Sequence, residues 1–257
     1  MTYQESYQTW LDFADLPDYL REELVAMDEK TKEDAFYTNL EFGTAGMRGY
    51  IGAGTNRINI FVVRQATEGL AKLVESKGEE AKKRGVAIAY DSRHFSPEFA
   101  FESAQVLAAH GIKSYVFESL RPTPELSFAV RHYNAIAGIM VTASHNPKEF
   151  NGYKVYGEDG GQMPPADAAA LTDYIRDIEN PFTVELADLE ASKENGLITV
   201  LGEETDVKYL EELKDLNINP DLIAEYGKDM KIVYTPLHGT GEMLARRALA
   251  QAGFESV

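Results

Sequence analysis

The sequence predicts an α/β fold: a mixed sheet sandwiched by helices, followed by the start of a second α/β unit. Three observations carry this expectation. Short apolar runs ("GVAIAYDSR", "IKSYVF", "AIAGIMV") alternate with longer stretches at helical spacing. Prolines and glycines fall at the boundaries between them, as in Ser96-Pro97 and His110-Gly111. The chain has 257 residues, 44% of them hydrophobic, which suffices for one large domain or a domain plus a piece.

Taken in order, residues 1–40 are expected to be an amphipathic helical decoration. Pro17 suits a first helical turn, Tyr19, Leu20, Leu24 and Val25 recur at helical spacing, and Thr31 with Asp34 resembles a capping box. From Glu41 the texture changes to "EFGTAGMRGYIGAGTNRIN", with five glycines, a composition that lets backbone approach a ligand closely. A helix then places Val62, Val63, Ala66, Leu70, Leu73 and Val74 inward and stops near Gly78. "GVAIAY" is a strand, and Ser96-Pro97 is expected to cap and open the next helix. "IKSYVF" is a strand, "PTPELSFAVRHY" a helix, "AIAGIMV" a strand, "GYKVYG" a further strand and "PADAAALTDYIRDI" a helix. Beyond Asn180, "GLITVLG" is a strand, "DVKYLEELKDL" a helix and "NINPDLIAEYGKD" a connection. Lys231–Tyr234 is then expected as a strand, with a loop to Gly241, a helix to about Ala252 and the first residues of another strand. A βα unit needs a neighbouring strand, so an incomplete second domain is expected there. The expected division is a helical extension (1–40), a first domain (41–205), and a linker helix with the start of a second domain (206–257).

Charge narrows the partners. The chain carries 25 basic and 42 acidic residues, a net −17, which disfavours nucleic acid and anionic membrane surfaces. An anionic ligand therefore requires a local cluster of cations. Cysteine is absent, which removes disulfides and thiolate metal sites and fits a reducing cytoplasm. The first residues lack the basic start and apolar core of a signal peptide, and no apolar run reaches the ~18 residues of a membrane span. Oligomeric state is not legible.

Four strings are candidates for chemistry; a polar turn between strands for the first, and a tight turn at a domain edge for the second, are the alternative readings. "GIMVTASHNPKEFNGYKVY" places Ser144 just past an apolar strand, where α/β sheets collect ligands, with His145, Asn146, Lys148 and Lys154 nearby. Adjacent Ser144 and His145 do not make a hydrolytic dyad, and the G-x-S-x-G elbow is absent. "GTAGMRGYIG" offers backbone N–H groups at Thr44 and its neighbours and the fork of Arg48 to a phosphate, without a Walker or dinucleotide pattern. Asp91-Ser92-Arg93 also follows an apolar strand, and structural support of its loop is the simpler reading. "TPLHGTG", with His238, shapes a strand–helix corner or touches a ligand. No metal-ligand spacing is present.

Together "GTAGMRG", "YDSR", "TASHNPKEFNGYKVY" and "TPLHGTG" resemble the α-D-phosphohexomutase superfamily, phosphoglucomutase branch, over roughly residues 38–257. The resemblance implies that Ser144 is the phosphorylated serine. It would exchange phosphate with a phosphosugar through a glucose 1,6-bisphosphate intermediate, interconverting glucose 1-phosphate and glucose 6-phosphate. By the same resemblance Arg48 binds phosphate, His145 touches it, and Lys154 is acid/base or charge stabiliser. Thr44, Arg93, Asn146 and Lys148 contribute binding. Mg²⁺ is implied, with the Ser144 phosphate as one ligand. The family's D-G-D-x-D-R metal loop, G-E-x-S-G-H sugar loop and carboxy-terminal phosphate loop are not in this sequence. This implies an amino-terminal part that is inactive alone. Mannose or pentose phosphate specificity, a truncated regulatory paralogue and, more remotely, a serine hydrolase are the alternatives.

Overall fold

Residues 1–43 and 46–257 are described in the computed structural model of the chain. Three helices open it: α1 (Tyr3–Asp12), α2 (Asp18–Ala26) and α3 (Glu29–Phe36). Then follow β1 (Met47–Tyr50), α4 (Ile60–Ser76), α5 (Glu79–Arg84), β2 (Val86–Tyr90), α6 (Ser96–Ala109), β3 (Ser114–Phe117), α7 (Thr123–His132) and β4 (Ala137–Val141). β5 (Phe150–Gly157), α8 (Pro165–Arg176), α9 (Leu189–Glu194) and β6 (Ile198–Leu201) come next. The chain finishes with α10 (Glu203–Asp215), α11 (Pro220–Tyr226) and α12 (Glu242–Ala252).

Among the described residues the six strands form one sheet in the order β1-β5-β4-β2-β3-β6. β4, β2, β3 and β6 are parallel, and β5 and β1 add an antiparallel edge, so the sheet is mixed as expected. The continuous apolar runs follow from burial on both faces. In β2, Val86, Ile88 and Tyr90 enter one core while Ala87 and Ala89 enter the other. In β4, Ile139 and Val141 alternate with Met140 in the same way. The larger core lies under α4, α6 and α8, and the smaller under α7. Gly138 belongs to the tight side, since a Cβ there would stand 2.7 Å from Val130.

The opening helices are part of the main core, not a decoration. Trp10 is 2% exposed and meets Phe36, Phe61 and Phe182 edge to face at 5.3–5.8 Å. Leu16, Leu20 and Leu24 join the same cluster.

Several local expectations change. The glycine-rich stretch contains β1, which owes its extended form to pairing Met47–Tyr50 with Tyr153–Phe150. Asp28 caps α3 by accepting from the Thr31 amide, so Thr31 is the third residue of that helix and not its cap. Ser96 does not cap α6, because its hydroxyl donates to Asp91 (2.9 Å); left-handed Phe95 (φ 63°) precedes the helix. "NINPDLIAEYGKD" holds α11, opened by Pro220. Among the described residues Lys231–Tyr234 makes a single bridge, Lys231 to Ser256 in parallel, and it joins no sheet, so Val233 is 98% exposed.

A buried charge cluster joins α10 to the sheet. Arg121, after β3, grips Asp206 of α10 through two hydrogen bonds of 2.7 and 3.0 Å. Both are almost fully buried, and Glu125 in the first turn of α7 is completely so. Arg247 of α12 approaches Asp206 at 3.7 Å and pairs with Glu203. Among the described residues neither Glu125 oxygen accepts a hydrogen bond. Burial, then the neighbouring Asp206 carboxylate, pushes Glu125 up to about 8, with Arg121 and Arg247 opposing.

A raised carboxyl binds its proton more tightly folded than unfolded. Its contribution is full below the ordinary value of 4.5 and is lost as pH rises through about 8. Urea midpoints of the wild type should therefore fall from pH 5 to pH 8 relative to Glu125→Gln, a neutral isostere. An unchanging gap between the two proteins over that range would contradict the assignment.

Candidate active site

The serine loop occupies residues 142–149, between β4 and β5. Ser144 sits in the left-handed region (φ 57°), a conformation few non-glycine residues adopt without support. Support comes from below. The Ser144 amide donates to the Thr142 hydroxyl (2.9 Å), which donates to Asp91 Oδ2 (2.6 Å). Asp91 Oδ1 accepts from Ser96 (2.9 Å) and from the Arg93 amide (3.1 Å). Buried Asn151, at the start of β5, donates to Ser96 Oγ and to the His94 carbonyl, both at 3.0 Å.

Arg93, expected to contact phosphate, turns its guanidinium to backbone carbonyls. One guanidinium nitrogen donates to the carbonyls of Pro147 (2.7 Å) and Phe150 (2.9 Å), the other to those of Ser144 (2.9 Å) and Asn146 (2.6 Å). Its Nε lies 3.4 Å from Asp91. With these donors engaged, Arg93 shapes the loop from behind. The simpler reading of Asp91-Ser92-Arg93, loop support, matches this geometry.

The front of the loop is cationic. Arg48 lies on β1 opposite Gly152 of β5, and its guanidinium donates to Asn146 Oδ1 (2.5 Å). That bond ties two segments 98 residues apart. Lys154 follows two residues after Gly152, on the same face of β5. It is half-buried, and burial, then the charge of Arg48, holds its ammonium below the usual lysine range, with Asp91 opposing. Two glycines permit this closeness. A Cβ on Gly46 (φ 88°) would stand 2.2 Å from the Tyr153 carbonyl oxygen, and one on Gly152 would stand 2.6 Å from that of Thr142.

Ser144 and His145 are exposed, with Oγ 3.3 Å from Nδ1. That is longer than a nucleophile–base hydrogen bond, and among the described residues nothing orients the other ring nitrogen. A hydrolytic triad therefore has no support. Lys148 is exposed at the loop's rim, without a partner among the described residues. Thr44 lies outside the described residues. His238 is exposed, in the largely exposed 235–241 segment. Sequence reasoning missed Thr142, Ser96 and Asn151. Thr142 carried a signal, a small polar residue just past the end of an apolar strand, where buried polar groups must be paired.

Among the described residues no three His, Cys, Asp or Glu side chains could hold a metal ion. Asp91, the carboxylate beneath the loop, is already bound to Thr142, Ser96 and Arg93. The donors present thus do not make a Mg²⁺ site by themselves.

Thr142→Val keeps the shape and removes the hydroxyl that links Asp91 to Ser144. Losing a hydrogen bond to a charged group costs about 1.5–3 kcal/mol. Amide exchange at Ser144 should accelerate at least tenfold, about 1.4 kcal/mol, while β2 and β4 keep wild-type protection. Unchanged exchange at Ser144 would rule out this support.

Comparison with known proteins agrees with the geometry. Residues 39–182 match the family model "Phosphoglucomutase/phosphomannomutase, alpha/beta/alpha domain I". The phosphoglucomutase of Staphylococcus saprophyticus is 40% identical over 228 residues, covering 89% of this chain and 40% of that protein. That of Staphylococcus haemolyticus is 38% identical over 229 residues, covering 88% and 40%. A Thermus thermophilus crystal structure described as a phosphomannomutase superposes with a TM-score of 0.70 at 27% identity, over 85% of this chain and 45% of that one. Paramecium parafusin, in an open form, shares the fold (TM-score 0.65, 19% identity, 85% and 42% coverage). The chain spans about two fifths of the curated relatives it matches. It belongs to the phosphoglucomutase/phosphomannomutase family, and residues 39–182 are that family's domain I.

Proposed function

We propose that this chain is the phosphoserine-bearing amino-terminal part of an enzyme that interconverts glucose 1-phosphate and glucose 6-phosphate through a glucose 1,6-bisphosphate intermediate. The observation that carries the reading is the meeting of Arg48 and Lys154 at the loop that bears the exposed Ser144, on a chain of net charge −17. Such a concentration of cations against the overall charge suits a phosphoryl group.

In this reading a phosphoryl group on Ser144 Oγ passes to a free hydroxyl of the phosphosugar. The new O–P bond forms as the Oγ–P bond breaks, and the sugar hydroxyl gives up its proton. Lys154 is suited to accept that proton, because its lowered affinity leaves a larger neutral fraction, and the departing Oγ takes up one proton to restore the Ser144 hydroxyl. Arg48 balances charge on the transferring oxygens, and Asn146 fixes the direction of its guanidinium. His145 and Lys148 add donors at the rim. The bisphosphate then turns and returns its other phosphate to Ser144. Phosphoryl transfer needs little beyond such positioning and charge balance. Mg²⁺, when bound to the serine phosphate, would supply further charge neutralisation; its other ligands would lie outside this set of residues.

Glucose is favoured as the sugar by the staphylococcal phosphoglucomutases, with mannose phosphate as the second reading. We place the first domain at 41–205 and the start of a second at 206–257; β6 adds the last strand of the sheet beyond the matched residues. A cytoplasmic setting fits the cysteine-free composition, and among the described residues no helix is long and apolar enough to cross a membrane.

The test is a coupled assay of glucose 1-phosphate conversion by the full-length protein. Ser144→Ala should remove detectable turnover. Lys154→Gln should lower kcat about 10²–10⁴-fold, the usual worth of a positioned acid or base, and Arg48→Gln should lower kcat/KM about 10²–10³-fold. Wild-type kinetics in any of the three folded variants would remove that residue from the mechanism. The 257-residue chain alone should show no turnover; robust turnover would overturn that expectation.

A further inference from the structure

We infer that the amino-terminal helices, which precede the matched residues 39–182, are a positioning element for the serine site, acting through Glu23 on the loop that follows Arg48's strand. The inference rests on Ser144 being the reacting group.

The loop in question is 51–58, between β1 and α4. On one side it lies on the helices. Glu23 of α2 accepts a hydrogen bond from the Ala53 amide (3.0 Å). The Ala35 carbonyl at the end of α3 accepts from the Asn56 amide (2.9 Å), and the Asp34 carbonyl from the Asn56 side chain (3.0 Å). Asp34 pairs with Arg57. The Thr55 carbonyl accepts from the Leu40 amide (2.7 Å), and its hydroxyl donates to Thr38 (2.7 Å). The fit leaves no room for side chains: a Cβ on Gly52 would stand 2.4 Å from Glu23, and one on Gly54 would stand 2.6 Å from the Ala35 oxygen.

On its other side the same loop grips the active site. The Ile51 amide donates to the carbonyl of Glu149, in the serine loop itself (2.8 Å). Tyr50 pairs with Phe150 across β1 and β5, with ring centroids 4.1 Å apart. The Ile58 amide closes the loop on the Tyr50 carbonyl (2.8 Å). Arg48 stands two residues before Tyr50, on the same face of β1. β1 is an edge strand, held within the sheet by β5 alone among the described residues, and this loop restrains it further. Among the described residues Glu23 is the α2 side chain that hydrogen-bonds the loop backbone. Ala53 is fully buried, so without Glu23 its amide loses its partner away from water.

A purely structural contact would affect overall stability alone. A positioning contact also moves the phosphate-transfer rate, and the conservative amide rescues it. The experiment compares full-length wild type with Glu23→Ala and Glu23→Gln. It measures amide exchange at residues 50–54 and 144–150, and the rate at which glucose 1,6-bisphosphate loads phosphate onto Ser144. Glu23→Ala should speed exchange at Ile51 and Ala53 and slow loading, each about tenfold, the worth of one buried hydrogen bond. Glu23→Gln, whose amide oxygen still accepts from Ala53, should stay within about threefold of wild type. If Glu23→Ala does not fold, Glu23→Asp, one methylene shorter, makes the same comparison. Faster exchange at Ala53 with wild-type exchange at Ile51, or with wild-type loading, would overturn the inference. If wild type takes up no phosphate at all, the proposed chemistry fails instead. Exchange at Ile51 then still decides whether the helices reach the serine loop.

Discussion

Asp91 is the constraint on which the site depends. One carboxylate at the end of β2 holds Thr142 on one oxygen and Ser96 with the Arg93 amide on the other. Thr142 passes the restraint to the Ser144 amide, Ser96 passes it to Asn151, and Arg93 spreads it over three loop carbonyls and that of Phe150 in β5. The backbone of Ser144 stays in a costly conformation because several bonds converge on it. The outcome is a hydroxyl presented outward from a loop whose rear is saturated with hydrogen bonds.

The cations in front are placed by the sheet. Arg48 comes from an antiparallel edge strand and Lys154 from the strand beside it, so their relation is fixed by register. A one-residue slip of β1 would turn Arg48 to the other face. The amino-terminal helices restrain that slip by holding the loop after β1. Thus residues 1–40, with Trp10 in the main core, serve both packing and the site.

Much of the fold was legible. Val86–Tyr90 and Ala137–Val141 are apolar runs because both faces of a parallel sheet are covered, and that pattern survives in sequence alone. The place of Ser144 just past a strand was legible because β4 is a continuous apolar run. What was hidden depends on contacts distant in sequence. β1 is extended because β5 lies beside it. Ser96 abandons its cap because Asp91 is within reach. Arg93 serves carbonyls 51 to 57 residues away, so its type indicated phosphate where its position indicates a clamp. Lys231–Tyr234 shows the converse: with no neighbouring strand among the described residues, strand composition yields a single bridge.

The central claim is that Ser144 carries phosphate. Its most direct measurement is the intact mass and peptide map of the full-length protein after incubation with glucose 1,6-bisphosphate and Mg²⁺. One phosphate, located on Ser144 and absent from Ser144→Ala, is the predicted result. No uptake, or the same phosphate retained in Ser144→Ala, would contradict it.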